Sequence, residues 1–339
     1  MLLKKITVFR ALQLGDLLCA IPAMRALKNA FPQSEITLLG LPWAESFVRR
    51  FSSLFSGFRA FPGFPGLPEQ GFDRNRFTRF LSEMKRNEPD LLIQLHGNGS
   101  IINPLMKMMS KGLVAGYFQP GAYCPDARLF MPYPEGIPEI KRHLKLMEFL
   151  NISPAEEDLE FPIRSEEESE YGELIRAAGL EPGNYICIHA GARHPKRRWE
   201  PEKFARVADV LAAKGYTIVL TGTLPEKETA AKVAGNMRAN AIDLTGKTSL
   251  GALAALIRDA ALLFSNDTGL SHIAAAMKTP SVVIFLTSEP GRWAPLNRIL
   301  HRVVLPEESD NTAIALFNAD EALSEQVLSI KKERIQHEL

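Results

Sequence analysis

Cysteine is scarce, with three in 339 residues. Cys19, Cys124 and Cys187 lie far apart and form no CxxC pair, which argues against a disulfide framework or a structural zinc site and favours a reducing compartment. Long hydrophobic runs are missing too: no stretch approaches the ~20 apolar residues needed to cross a bilayer. Neither sign of charge prevails, since 40 Lys and Arg against 39 Asp and Glu leave a formal +1. No global field therefore draws the chain to nucleic acid, and any electrostatic role is local. There is no GxGxxG, because Gly15 is the only glycine where the first strand meets its helix, so a dinucleotide enzyme is disfavoured. No Asp-x-Asp pair occurs, nor a His/Asp/Glu cluster with ligand spacing, and neither a metal nor any other cofactor is expected. What remains is 46 % hydrophobic and 23 % charged residues, the balance of a globular chain long enough for two α/β domains.

The amino-terminal residues mimic a secretory signal, with Lys4-Lys5 ahead of apolar residues and Ala20-Ile21-Pro22-Ala23 behind them. Arg10, Gln13 and Asp16 interrupt the apolar core that such a signal needs. A cytoplasmic protein is expected.

Strands alternate with helices. Lys5 to Arg10 reads as a strand, Asp16 to Ala30 as a helix whose Leu17, Ile21 and Met24 fall at three- and four-residue spacing, and Glu35 to Gly40 as the next strand. Residues 57 to 72, rich in Gly, Pro and Phe, read as a surface loop. Asp90 to Leu95 and Val114 to Tyr117 read as further strands. Between 151 and 184 the composition turns acidic and suits a connector with one amphipathic helix. The pattern then restarts: strands at Tyr185–His189, Tyr216–Thr221, Ala241–Leu244, Ala261–Ser265 and Ser281–Leu286, and a helix from Pro201 to Ala213 with proline in its first turn. Residues 320–336 read as a charged terminal helix. The alternation predicts parallel, doubly wound sheets in two successive halves.

Three strand-to-helix turns carry the chemistry-bearing residues. Asp16 lies where ligands bind in an open α/β sheet, and reads either as a general base or as a first-turn acid favoured by the helix dipole. The loop Ala192 to Trp199 packs Arg193, Lys196, Arg197 and Arg198 into six residues, which suits a phosphate or a solvated basic loop. Asn266-Asp267-Thr268-Gly269 with His272 follows a buried strand, and its turn offers backbone N–H groups to a diphosphate, although Asp267 or Thr268 serves equally as a cap. Glu226 and Glu228 reach sugar hydroxyls or lie in a helix's first turn. A carboxylate in the first half and cations in the second suit group transfer from an activated diphosphate donor.

These residues resemble glycosyltransferase family 9, the bacterial heptosyltransferases that build the lipopolysaccharide inner core. The matching blocks are Leu14-Gly15-Asp16 with Ile21 to Leu27, Asp90 to Leu95, His143 with Leu144 and Leu146, His189-Ala190-Gly191 with Lys196 to Trp199, Leu220-Thr221-Gly222 with Glu226, Leu244-Thr245-Gly246, Asn266 to Gly269 with His272 to Ala276, and Phe285 to Pro295. One departure stands out: the family's lysine two residues before the tryptophan is Arg197 here, and Lys196 lies three before.

The resemblance implies a GT-B fold, two Rossmann-like domains facing a cleft: residues 1–165 for the acceptor and 166–339 for the nucleotide-sugar donor, with the terminal helix crossing back to the first. It implies inverting, metal-independent transfer of a heptose from ADP-heptose to a Kdo or heptose of the inner core. Asp16 is then the general base, and Lys196 or Arg197 neutralises the leaving diphosphate. Glu226, Asp267, Thr268, Gly269 and His272 bind the donor. Arg74, Arg76 and Arg79 are expected to meet an acidic, lipid-linked oligosaccharide acceptor, the alternative being a surface basic patch. No nucleic acid is expected as a partner, and contact with the inner-membrane surface is transient. The alternatives are a nucleotide-sugar epimerase on the same fold, a family member using another sugar, and a non-catalytic sugar or anion receptor.

Overall fold

The computed structural model describes the backbone of residues 3–337 and the side chains of residues 3–325. The chain divides into two units, residues 1–158 and 159–339. Unit 1 runs β1 (Lys5–Phe9), α1 (Leu14–Ala30), β2 (Glu35–Gly40), α2 (Ala44–Arg50), β3 (Gly57–Ala60), α3 (Arg74–Arg86), β4 (Leu91–Gln94), α4 (Ile102–Met109), β5 (Leu113–Phe118), β6 (Phe130–Pro132) and α5 (Glu139–Phe149). Unit 2 runs α6 (Ser165–Ala178), β7 (Tyr185–His189), α7 (Pro201–Ala213), β8 (Thr217–Leu220), α8 (Lys227–Asn236), β9 (Ala241–Asp243), α9 (Leu250–Arg258), β10 (Leu262–Asn266), α10 (Gly269–Met277), β11 (Ser281–Ile284), α11 (Pro290–Trp293), β12 (His301–Val304) and α12 (Thr312–His337).

Each unit builds one six-stranded sheet, ordered β3-β2-β1-β4-β5-β6 in the first and β12-β11-β10-β7-β8-β9 in the second. Every pairing is parallel. Counted from its own first strand, each unit has the order 3-2-1-4-5-6. That is the doubly wound Rossmann arrangement, with a ligand crevice at the carboxyl ends of the first and fourth strands, where the order reverses. The strands flanking each reversal are apolar runs buried on both faces: Ile6 to Phe9 beside Leu91 to Ile93, and Tyr185 to Ile188 beside Leu262 to Phe264. Such runs are what helices covering both faces of a parallel sheet require.

Three strands escaped the sequence pattern, and all three are short. Gly57–Ala60 lies inside the segment expected to be a surface loop; it pairs with β2 at the register Thr37↔Gly57 to Gly40↔Ala60. Its glycine and partial exposure hide the alternation of a half-buried strand. Phe130–Pro132 and His301–Val304 are the sixth strands of their sheets and close the equivalent edge of each; the first, three residues ending in proline, gives no periodicity to read. The terminal helix begins at Thr312, with Ala315, Ala319, Ala322 and Leu323 in the core of unit 2. Its side chains beyond 325, on which any packing against the first domain would depend, lie outside the described residues.

Candidate active site

In unit 1, β1 delivers Arg10 and the loop to α1 at the order reversal, and β4 delivers Leu95 and His96. Asp16 stands on the first turn of α1. Its Oδ2 accepts from the Gln13 backbone N–H at 3.1 Å, so the carboxylate does cap its helix. Its Oδ1 lies 3.7 Å from Arg10 Nη2, and the side chain keeps 21 % exposure while Arg10 keeps 1 %. Asp16 is therefore both cap and accessible acid.

Arg10 is the element that sequence reading missed. Its Nε donates to the Asp16 carbonyl at 2.7 Å, Nη1 to the Leu95 carbonyl, and Nη2 to Glu139 Oε1 at 3.0 Å. Glu139 begins α5, pairs with Arg142, and lies 3.3 Å from His143 Nε2. Burial alone raises the Glu139 carboxyl, but His143, Arg10 and Arg142 together hold it well below the usual carboxylate range. His143 is pushed down to about 4 by burial and by Arg10, so the ring is neutral. His96, stacked on Phe9, accepts from the Ala11 N–H through Nδ1 at 3.2 Å and is lowered to about 3 by burial and by Arg10. The available signal was an arginine closing an apolar strand, a position a solvated residue rarely takes.

The three candidate arginines of unit 1 separate. Arg76 and Arg79 line a cavity of about 230 Å³ with Phe61, Pro62 and Phe80. It lies past the carboxyl end of β3, on the edge of the sheet where Asp16 stands. Arg74 opens α3 and is not among the lining residues.

In unit 2 the crevice lies between the ends of β7 and β10. Asn266 is fully buried, and its amide ties the basic loop to the strand. Nδ2 donates to the Ala190 carbonyl at 2.8 Å, and Oδ1 accepts from the Trp199 N–H at 3.0 Å. Trp199 in turn is buried and donates from Nε1 to the Ser309 carbonyl at 2.7 Å. Asp267 Oδ2 accepts from Ser288 Oγ and from Arg197 Nη1 at 3.3 Å. Thr268 caps α10, its hydroxyl accepting from the Leu270 N–H, so the helix starts at Gly269. First-turn amides of a helix have no acceptor within it, and here they face the crevice end of the sheet. His272 is buried in the same helix. Lys196 is exposed and, among the described residues, makes no ion pair.

Glu226 closes a short turn after β8 (Leu224–Glu226). Its Oε2 accepts from the Thr223 N–H at 2.8 Å and hydroxyl at 2.7 Å, and lies 3.9 Å from His189 Nε2, a buried ring lowered by desolvation. The carboxylate rests on the bare face of Gly191, where an added Cβ would stand 2.2 Å from Oε1. Glu226, Gly191, Asn266, Asp267 and Arg197 thus form one continuous site. The residues missed here are Asn266 as an anchor and Ser288, whose partner lies 21 positions away along the chain.

The family model for glycosyltransferase family 9 (heptosyltransferase) matches residues 77–314. The chain belongs to glycosyltransferase family 9. It is therefore an enzyme, a glycosyltransferase of the heptosyltransferase kind, and the reading as a non-catalytic receptor falls away. Among family 9 relatives, lipopolysaccharide heptosyltransferase 3 of Escherichia coli K12 is 25 % identical over 291 residues, covering 83 % of this chain and 82 % of the relative. The family 9 glycosyl transferase of Veillonella parvula superposes with a TM-score of 0.73 at 22 % identity, over 93 % of this chain and 90 % of that one. The E. coli ADP-heptose lps heptosyltransferase II superposes at 0.70 and 18 % identity, over 95 % and 99 %. These likenesses show the GT-B fold. No helix among the described residues is long and apolar enough to cross a membrane.

Proposed function

We propose that this family 9 enzyme transfers a heptose from ADP-heptose to a sugar of the lipopolysaccharide inner core, Kdo or heptose, with inversion and without a metal. The observation that carries the reading is the pairing of chemistries at equivalent places in two sheets of one strand order. A held, partly exposed carboxylate marks the first reversal, and a helix start with a tethered cationic loop marks the second. The donors and acceptors named for the relatives point to heptose and lipopolysaccharide.

Unit 1 takes the acceptor. Asp16 removes the proton from its hydroxyl as that oxygen bonds to the anomeric carbon, opposite the departing ADP. The bond from the anomeric carbon to the diphosphate oxygen breaks with its electron pair going to ADP. Lys196 and the amides opening α10 stabilise that charge. Arg197 is engaged with Asp267, so we assign it to holding the donor-site carboxylate and Lys196 to the diphosphate. Glu226 and Asp267 receive donor hydroxyls, with Thr268, Gly269 and His272 completing that wall. Arg76 and Arg79 neutralise phosphates or carboxylates of the acceptor, and Arg74 contributes charge at their flank. The enzyme works in the cytoplasm, touching the inner-membrane surface through its lipid-linked acceptor.

The test is transfer from ADP-heptose to a Kdo-containing lipid acceptor, with wild type compared to Asp16→Ala. A loss of roughly a hundredfold or more in turnover fits a general base; near-normal turnover removes Asp16 from the role. Transfer from UDP-sugars in place of ADP-heptose overturns the donor, and isomerisation of the donor without acceptor replaces transfer by epimerisation.

A further inference from the structure

Arg10 is a charged residue of unit 1 that is costly to bury, and its surroundings show what it is aimed at. It closes the apolar strand β1 with 1 % of its side chain exposed. A guanidinium there must have its donors taken, and they are shared among three elements: the first turn of α1 through the Asp16 carbonyl, the end of β4 through the Leu95 carbonyl, and the start of α5 through Glu139. Apolar packing of the same volume often supports a fold equally well or better than a buried ion pair. A fully buried arginine whose one partly exposed partner is a carboxylate at the crevice therefore points to that carboxylate.

The geometry at Asp16 is specific. Arg10 holds the residue twice, by its carbonyl at 2.7 Å and by Oδ1 at 3.7 Å, while the Gln13 N–H holds Oδ2 at 3.1 Å. Both carboxylate oxygens are restrained from the protein side, which leaves the exposed side to meet an acceptor. Arg10 is itself aimed by Glu139. That carboxylate takes Arg10 on Oε1 and Arg142 on Oε2, and Arg142 is fixed by its Nε bond to the Pro134 carbonyl at 2.9 Å and by the Tyr133 ring under its guanidinium. His143 completes the surround through Tyr117, whose hydroxyl lies 3.0 Å from Nδ1.

We propose that Arg10 is a positioning residue of the transfer reaction, orienting the Asp16 carboxylate toward the acceptor hydroxyl, and that Glu139 sets the direction of Arg10 from the start of α5. The proposal rests on the reading of Asp16 as the general base. Arg10 touches no substrate; it acts through Asp16. Its loss therefore lowers turnover and leaves donor binding, a property of unit 2, unchanged.

The experiment uses the full chain, ADP-heptose and a Kdo-containing lipid acceptor. Initial rates are measured for Arg10→Lys, Glu139→Gln, Asp16→Asn and the double variant Arg10→Lys/Asp16→Asn, with calorimetric ADP affinity and thermal melting as controls. Arg10→Lys and Glu139→Gln are expected to lower kcat roughly ten- to hundredfold, with KM for ADP-heptose and Kd for ADP within about threefold of wild type. In the Asp16→Asn background, Arg10→Lys is expected to cost nothing further, because two residues acting as one unit do not add. A folded Arg10→Lys with wild-type turnover overturns the proposal. So does a loss that multiplies undiminished onto Asp16→Asn, which marks Arg10 as a pin of the fold alone. If Arg10→Lys does not fold, Glu139→Gln, which keeps size and shape, runs the same cycle, and wild-type turnover there is equally fatal. Full turnover in Asp16→Asn sinks the base reading first and this proposal with it, so the two failures are told apart.

Discussion

Arg197 Nη1 and Asp267 Oδ2 lie 3.3 Å apart, joining the loop after β7 to the turn after β10 across the order reversal of the second sheet. The arginine side chain is 42 % exposed, so the pair adds less than about 1 kcal/mol to stability. Its effect is on direction, since the oxygen it shares with Ser288 is thereby held. Lys196, one position earlier and unpaired among the described residues, remains available to an anion.

The two cations are accordingly expected to fail differently. Lys196→Ala should lower kcat by tenfold or more, because it removes charge from the leaving group in the transition state. Arg197→Ala should chiefly raise KM for ADP-heptose and leave the melting temperature nearly unchanged. Steady-state kinetics with both variants decides the matter, and an exchange of the two phenotypes would reverse the assignment.

Gly191→Ala should act at a distance from its own small change. The new Cβ would stand 2.2 Å from Glu226 Oε1, and that side chain is not free to swing, being held by Thr223 at 2.7 and 2.8 Å. Displacing it forfeits those bonds, about 1 kcal/mol each, together with whatever donor hydroxyl Glu226 receives. Calorimetric affinity for ADP-heptose should fall at least fivefold while the protein stays folded. Unaltered affinity removes Glu226 from the donor site.

Buried histidines held neutral make the protein acid-sensitive. His96 is lowered to about 3, and His143 and His301 to about 4, from an ordinary value of 6.5, mainly by burial. In the unfolded chain each takes up a proton near pH 6.5, whereas in the folded protein each stays neutral down to about 4. Unfolding then binds protons, and stability is lost as pH falls through that window, by about 1.4 kcal/mol per pH unit for each fully titrating ring. Urea midpoints should drop between pH 7 and pH 5. His301→Gln, which keeps a polar partner for Ser281 Oγ, now 2.9 Å from His301 Nδ1, should flatten that fall. An equal drop in wild type and variant would discount His301 as a contributor.

For the acceptor, the paired substitution Arg76→Ala/Arg79→Ala should raise KM for the lipid acceptor severalfold and weaken its dependence on ionic strength, because both charges border one cavity with Phe61 and Phe80. Arg74→Ala, outside that lining, should do much less. The comparison is made at two salt concentrations, and equal effects of Arg74 and the pair would argue against the cavity as the acceptor's place.

The fold was legible wherever strands are buried on both faces. Tyr185–His189 and Glu35–Gly40 came out with their observed bounds, because parallel strands under helices are apolar runs with sharp ends. The edge strands Gly57–Ala60, Phe130–Pro132 and His301–Val304 did not, because partial exposure removes that contrast. Of the site, the turns at Asp16 and at Asp267 to Gly269 were readable as polar residues at a strand's end. The tether from Asn266 to Trp199 and the convergence of Arg10, Glu139 and Arg142 were not. Asn266 and Trp199 lie 67 positions apart and Arg10 and Glu139 lie 129 apart, and only the strand order, which no local pattern encodes, brings them together.

Asp16, Glu139, Arg10 and Arg142 sum to zero charge around one buried point. Removing the charge of Arg10, Arg142 or Glu139 alone leaves an opposite charge buried without its partner, at a cost of roughly 3–5 kcal/mol, whereas Asp16 sits at the crevice with 21 % of its side chain exposed. Substitutions at Arg10, Glu139 and Arg142 are therefore expected to be tolerated in compensating pairs rather than singly, because only a paired exchange leaves no charge without its counterpart.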